Sequence, residues 1–259
     1  MYVDAHTHMD KYTDEELVGV LETIERQRIL TFGVSIDVPS FVRTEKIATR
    51  SEFVVPSFGV HPWEAPGYAN AIDDLDGCVE RSPMIGEIGL DYRFVEDERL
   101  YPAQRQVFER LLDLARDQDK IVSVHCTGAE RDTADHLARS GIDRGIIHWY
   151  SGPLDILGQL IETGLMFSVG VEVLRSDHIR DVARAIPADR LLTETDNPGG
   201  LRWLTGETGY PALIGDILDE LSDVRGVIRN ELLATVRNNM TRLIENDAHL
   251  RPWLAKLDA

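Results

Sequence analysis

Eight short, almost uniformly apolar segments recur along this 259-residue chain, each followed by a longer stretch whose apolar residues fall at helical spacing. No other feature restricts the fold as strongly. The apolar segments are Tyr2–Asp4, Ile29–Ser35, Val54–Gly59, Met84–Gly89, Ile121–His125, Gly145–His148, Leu165–Val169 and Leu191–Glu194. They are too compact and too evenly apolar for half-exposed antiparallel strands, and read as parallel strands covered on both faces.

The stretches between them predict helices over Asp14–Arg28, Pro39–Arg50, Asn70–Arg81, Pro102–Gln118, Glu130–Ser140, Leu154–Thr163, Asp177–Ile186 and Tyr210–Leu221. In the fourth, Val107, Leu111, Leu114 and Ala115 share one face. Ser176 before Asp177, and Pro102 after Tyr101, suit helix starts. Strand-helix repeats of this spacing and number fit a closed (β/α)8 TIM barrel. An open doubly wound sheet is the other option, but no GxGxxG follows the first strand. No linker or shift of composition divides the chain, so residues 1–259 read as one barrel domain, with a last helix near 230–245 on its outside or bottom.

Composition narrows the function classes. With 27 basic and 45 acidic residues, the net charge of -18 removes general attraction to a polyanion, so a nucleic-acid substrate needs metal ions or a local arginine patch. Cys78 and Cys126 provide no disulfide framework; by alternation Cys126 points away from its neighbour His125, into the packing. The first residues lack the basic flank and apolar stretch of a secretory signal, and no apolar run reaches bilayer length. A reduced, cytoplasmic protein without membrane contact is expected.

The C-terminal ends of barrel strands open onto one face, so residues remote in sequence become neighbours there. Asp4, His6 and His8 follow strand 1, His61 strand 3, Glu87 and Asp91 strand 4, His125 strand 5, His148 strand 6, and Glu194 and Asp196 strand 8. His6 and His8 alternate about Thr7, which sends both imidazoles to one side. With Glu87, His125, His148 and Asp196 they offer six nitrogen and oxygen ligands, more than a closed structural zinc requires. Such a set suits two divalent ions (Mg, Mn or Zn) that activate a water for hydrolysis. Glu87, on a middle strand, is the expected bridge; Asp196 is expected to ligate and to orient or deprotonate the water. Asp4 reads as a hydrogen-bond acceptor behind a ligand histidine. His61 reads equally as a phosphate contact or as structural, with Trp63 as a pocket wall, and Asp91 as a pocket carboxylate or a loop anchor. Tyr92, beside it, counts among the expected substrate contacts. Tyr150 and Ser151 either line the pocket or make loop hydrogen bonds.

DAHTH, GVHPW, GEIGLDY, VHC, HWYSG and TETDNP, in this order and from residue 3 to about 246, resemble the signature segments of the TatD family of metal-dependent hydrolases, within the amidohydrolase-like barrels. The resemblance implies metal-dependent DNase activity, typically 3'-5' exonucleolytic on single strands. It places His6 and His8 as the first histidine pair, Glu87 as the bridging carboxylate, His125 and His148 as the later histidines and Asp196 as the final aspartate. One departure concerns substrate: the arginine usual two positions after the strand-5 histidine is Thr127 here. Arg131 is a possible replacement, and Arg202 and Trp203 offer a phosphate contact and a base-stacking surface, or an ordinary loop anchor. The same centre would serve a small ester, lactone or amide, and a noncatalytic subunit holding metal for stability is the third option.

Overall fold

The computed structural model describes residues 1–258. Its strands are β1 (Tyr2–Thr7), β2 (Ile29–Val34), β3 (Val54–Ser57), β4 (Ile85–Gly89), β5 (Val122–His125), β6 (Gly145–Ile147), β7 (Met166–Val169) and β8 (Leu191–Thr193), each within a few residues of the predicted segment. Every laddered pair is parallel, in sequence order round a ring. The ladder falls into two arcs, β1-β2-β3 and β4 to β8. A single bridge, Phe58 to Ile85, joins β3 to β4. The β8-β1 seam is closed by Thr193 Oγ1 donating to Val3 O (2.6 Å), and by Asp196 N donating to His6 O (2.9 Å). Buried Asp4 adds to the seam, accepting from Thr195 N (2.8 Å) and Thr195 Oγ1 (2.7 Å). The result is a closed (β/α)8 barrel, whose strands are buried except at half-buried Tyr2 in β1 and Pro56 in β3.

Around it lie α1 (Asp14–Gln27), α2 (Val38–Ala48), α3 (Ala65–Tyr68), α4 (Asp76–Arg81), α5 (Tyr101–Asp117), α6 (Glu130–Ser140), α7 (Leu154–Glu162), α8 (Asp177–Ala185), α9 (Gly199–Thr205), α10 (Leu213–Arg225), α11 (Arg229–Ile244) and α12 (Arg251–Asp258). Local chemistry explains the starts. Thr13 and Glu16 cap α1 reciprocally, and Ser176 Oγ accepts from Ile179 N at the start of α8. In α5 the stripe Val107, Leu111, Leu114 and Ala115 is buried, together with Phe108 and Leu112. Cutting one such leucine back to alanine costs about 2–5 kcal/mol.

Three expectations need correction. The helix expected over Asn70–Arg81 is broken: a 3-10 turn, Ile72–Leu75, precedes α4, because Ala71 leaves helical geometry and Asp73, Asp74 and Gly77 are weak helix formers. The helix expected from Tyr210 begins at Leu213 and runs to Arg225, where Gly226 takes the left-handed φ of 63°. Three helices, the short α3 together with α9 and α12, were not expected at all. α11 leans on β1 and β8, and Asn239 Nδ2 ties it to the start of β8 through Leu191 O (2.8 Å). Both cysteines are buried and unpaired; burial pushes the Cys126 thiol up, in keeping with a packing role. Among the described residues, no helix is long and apolar enough to cross a membrane.

Candidate metal centre

All six residues of the expected ligand set converge at the C-terminal mouth of the barrel. Period two at the end of β1 directs His6, and His8 just beyond the strand, to one side, their ring centroids 5.2 Å apart. Asp196 arrives from the seam with a left-handed φ of 50°, strained for an aspartate. It is fixed there by its own N–H on His6 O and by Gly200 N–H on its carbonyl (2.7 Å).

The donors form two clusters that share one carboxylate. Glu87 Oε2 lies 3.4 Å from both His6 Nε2 and His8 Nε2. Asp196 Oδ1 completes this cluster, 3.8 Å from His6 Nε2 and 3.2 Å from His8 Nε2. Glu87 Oε1 faces the other way, 2.9 Å from His125 Nδ1, 2.8 Å from His148 Nε2 and 3.4 Å from His61 Nε2. Donors about 2.1 Å from a common ion stand roughly 3.0–3.4 Å from one another, so the first cluster has nearly the spacing that an ion requires. His6 Nε2 and Asp196 Oδ1 are buried there with no hydrogen-bond partner among the described residues. Unpaired buried polar atoms are costly, and a divalent cation between them would satisfy both. The two clusters are built to bind two divalent metal ions.

Electrostatics agree. Burial raises the Glu87 carboxyl, but the surrounding imidazoles of His61, His148 and His6 outweigh it and hold the group well below the usual carboxylate range. Burial works against protonation of His8, yet Asp196 and Glu87 bring its pKa up to about 9; Glu87 and Glu194 likewise raise His148 against its burial. His6 and His61 are pushed down by burial. The centre thus attracts positive charge, and protons occupy what metal ions would neutralise.

Each imidazole has one nitrogen turned inward, and its outer nitrogen decides what that inner one can do. His125 turns Nε2 outward to Asp91 Oδ2, 3.3 Å away, and His148 turns Nδ1 toward Glu194 Oε2 at 3.7 Å. Glu194 is itself held by Ser168 Oγ (2.5 Å) and Trp149 N (2.8 Å). His6 Nδ1 lies 3.3 Å from Ser123 Oγ. His61 differs: its Nδ1 accepts from the Trp63 backbone N–H (3.2 Å), so its inner Nε2 carries the hydrogen and is a donor. Sequence reasoning set His61 apart from the centre, whereas the structure brings it against Glu87; its place at a strand end was the available signal.

The remaining expected substrate contacts are dispersed. Tyr92 Oη is engaged toward the helices, with Asp132 Oδ2 (2.5 Å) and Arg105 Nη1 (2.9 Å), rather than with the metal clusters. Arg131 is exposed at the start of α6 and forms no ion pair among the described residues. Arg202 Nη2 donates to Thr208 Oγ1 (2.8 Å), and Trp203, 56% exposed, meets Trp149 edge to face at 6.0 Å. Tyr150 makes a loop hydrogen bond to Pro153 O (2.6 Å), and Ser151 is half-buried beside it. Trp63 and Phe94, 54% and 50% exposed, form an aromatic wall with ring centroids 6.2 Å apart; Phe94 was not foreseen.

A (β/α)8 barrel with two histidine-carboxylate clusters sharing a glutamate at the strand ends defines a metal-dependent hydrolase. The chain belongs to the TatD-related DNase family, which matches residues 3–245. It is 27% identical to the uncharacterized metal-dependent hydrolase YcfH of Escherichia coli K12, over 95% of this chain and 96% of that one. It is 26% identical to the human deoxyribonuclease TATDN3, over 96% of each. The crystal structure of YJJV, a TatD homolog from E. coli K12, shares the fold with a TM-score of 0.86 at 24% identity, covering 94% of this chain and 98% of that one.

Proposed function

We propose that this hydrolase is a deoxyribonuclease that removes nucleotides from the 3' ends of single-stranded DNA. The observation that carries the reading is the surface around the metal clusters. Exposed Trp63, Phe94 and Arg93 stand at the β3-β4 side, and exposed Arg202 and Trp203 follow β8, four strands round the ring from β4. Aromatic faces that stack bases, beside arginines that meet phosphates, suit a short single strand. The likeness to a relative named as a deoxyribonuclease supports the same reading. The acidic surface favours contact confined to a few nucleotides.

In this reading His6, His8 and Asp196 would hold one ion and His125 and His148 the other, with Glu87 shared between them. Bound ions supply Lewis acidity and a water of lowered pKa. The Asp196 carboxyl, held below the usual range by His8 and His6 despite burial, stays ionised and would serve as a ligand and as an acceptor that orients a nucleophilic water. His61 Nε2–H donates to a phosphate oxygen, and Arg131, Arg202 and Trp203 act beyond it along the strand. Tyr92, stacked on Tyr101 and bonded to Asp132 and Arg105, serves the packing of the loop after β4 rather than the substrate.

The test is digestion of single-stranded and duplex DNA, RNA and small esters, lactones or amides by the Mg, Mn or Zn-loaded protein. A 5'-labelled single strand shortened in single-nucleotide steps is the expected result. Turnover of only the small esters, lactones or amides would transfer the centre to carbonyl substrates, and metal binding without any turnover would leave a noncatalytic subunit.

A further inference from the structure

Among the described residues, Asp91 is the one carboxylate that touches both a histidine of the metal centre and its aromatic wall. Gly89 makes the position possible: its φ of 148°, and a space in which a Cβ would lie 1.9 Å from His125 O, let the end of β4 press against β5. The Asp91 backbone is then clamped by the buried Gln104 amide, whose Oε1 accepts from Asp91 N (2.9 Å) and whose Nε2 donates to Asp91 O (3.1 Å). Asp91 Oδ1 accepts from Arg93 N (2.9 Å) and Phe94 N (2.8 Å), fixing the loop that carries the wall. Asp91 Oδ2 accepts from the Trp63 indole Nε1–H (2.7 Å) and faces His125 Nε2 at 3.3 Å. That Nε2 is buried and has no hydrogen-bond partner among the described residues, so the Asp91 carboxylate at ion-pair distance is the acceptor it faces.

We infer that Asp91 is a positioning residue that sets opposite tautomers in two adjacent histidines, making His125 a metal ligand and His61 a hydrogen-bond donor. A carboxylate oxygen only accepts, so it selects the His125 tautomer with hydrogen on Nε2 and leaves the Nδ1 lone pair facing Glu87 and His148. The same oxygen anchors the Trp63 indole, and the Trp63 backbone N–H on His61 Nδ1 selects the reverse assignment at the inner nitrogen of His61. The two rings lie 4.7 Å apart and would otherwise compete for one ion. The inference rests on the two-metal reading of the centre and not on the identity of the substrate.

The decisive experiment reads metal and hydrogen positions rather than turnover. In Asp91→Asn the side chain can present its NH₂ to His125 Nε2, which favours hydrogen on Nδ1. Isothermal titration with Mn²⁺ or Zn²⁺ should then show one of two ions bound about 10- to 100-fold more weakly, and the visible spectrum of the Co²⁺ form should change. Trp63→Phe, which keeps the backbone N–H, should retain both ions. Two ions at wild-type affinity with an unchanged Co²⁺ spectrum in Asp91→Asn would overturn the inference, while a wild-type protein that takes up no ion would overturn the metal reading itself. Nitrogen NMR of the ¹¹³Cd-loaded wild type decides the matter even if Asp91→Asn does not fold. Coupling of cadmium to His125 Nδ1 and none to His61 is expected; coupling to His125 Nε2 or to His61 would refute it.

Discussion

The two halves of the metal centre are built from the same kinds of side chain, yet they stand differently. Around Glu87 Oε2 the donors of His6, His8 and Asp196 keep 3.2–3.8 Å between them. Around Glu87 Oε1 the donors of His125 and His148 close to 2.9 and 2.8 Å and lie 3.2 Å from each other. The first half is set by main chain: β1 carries His6 and runs straight into His8, and the seam bonds Asp196 N to His6 O and His8 N to Asn197 O (2.7 Å) hold the third ligand. The second half comes from separate strands and is steered by carboxylates behind its rings, Asp91 and Glu194. A preformed half and a steered half should therefore lose metal for different reasons.

The largest effect should come from the group that the halves share. Glu87→Ala removes one oxygen from each cluster and leaves five imidazoles without their common counter-charge. Both ions should be lost and hydrolysis should fall by about three orders of magnitude or more, since metal activation supplies several kcal/mol. Metal analysis after dialysis, paired with the digestion assay, checks it; retention of one ion would mean that the halves are independent sites.

Next come variants within each half. His8→Ala and Asp196→Asn should weaken the first ion and spare the second, and His125→Ala should do the reverse, by roughly two orders of magnitude in affinity. Glu194→Gln, acting on His148 from behind, should resemble His125→Ala rather than His8→Ala. Stoichiometry measured on each variant tests the comparison directly, because variants of both halves losing the same ion would erase it.

Proton competition should follow next. In the metal-free centre His8 has its pKa raised to about 9 by Asp196, and His148 is raised as well. At neutral pH His8 carries a proton that an incoming ion must displace, and His148 is shifted in the same direction, so affinity should rise with pH up to about 9 and fall as the pH is lowered. Each displaced proton contributes about tenfold per pH unit. Titrations in buffers of different ionisation enthalpy count the protons released; none released at pH 7 would contradict the assignment.

Much of this architecture could be read from residues alone, for identifiable reasons. The strands were legible because burial on both faces demands unbroken apolar runs, and the α5 stripe because its outer face meets solvent. The ligands were legible because strand ends are where a barrel gathers polar side chains. The break before α4 was not, since it turns on the backbone of Ala71, and α9 begins with two glycines that give no helical signal. The distinction between His61 and His125 was hidden for another reason. It depends on what each outer nitrogen meets, a Trp63 backbone N–H in one case and the Asp91 carboxylate, from another strand, in the other. No spacing along the chain encodes that.

The smallest expected effect lies at the rim, and it separates substrate contact from metal geometry. Trp203 rests edge-on against Trp149, whose indole Nε1–H is held by Glu172 Oε2 (2.7 Å) and whose backbone N–H is held by Glu194. Only Trp203 of the pair is largely exposed, so its removal takes away a stacking face while leaving the support of His148 in place. Trp203→Ala should retain both ions and raise KM for single-stranded oligonucleotides by about fivefold, the lower end of the 1–3 kcal/mol for one base stacked on an aromatic ring. A small phosphodiester that cannot reach the rim should be cleaved as by the wild type. Equal losses on both substrates, or a lost ion, would mean that the rim acts through the steered half of the centre and not through the nucleic acid.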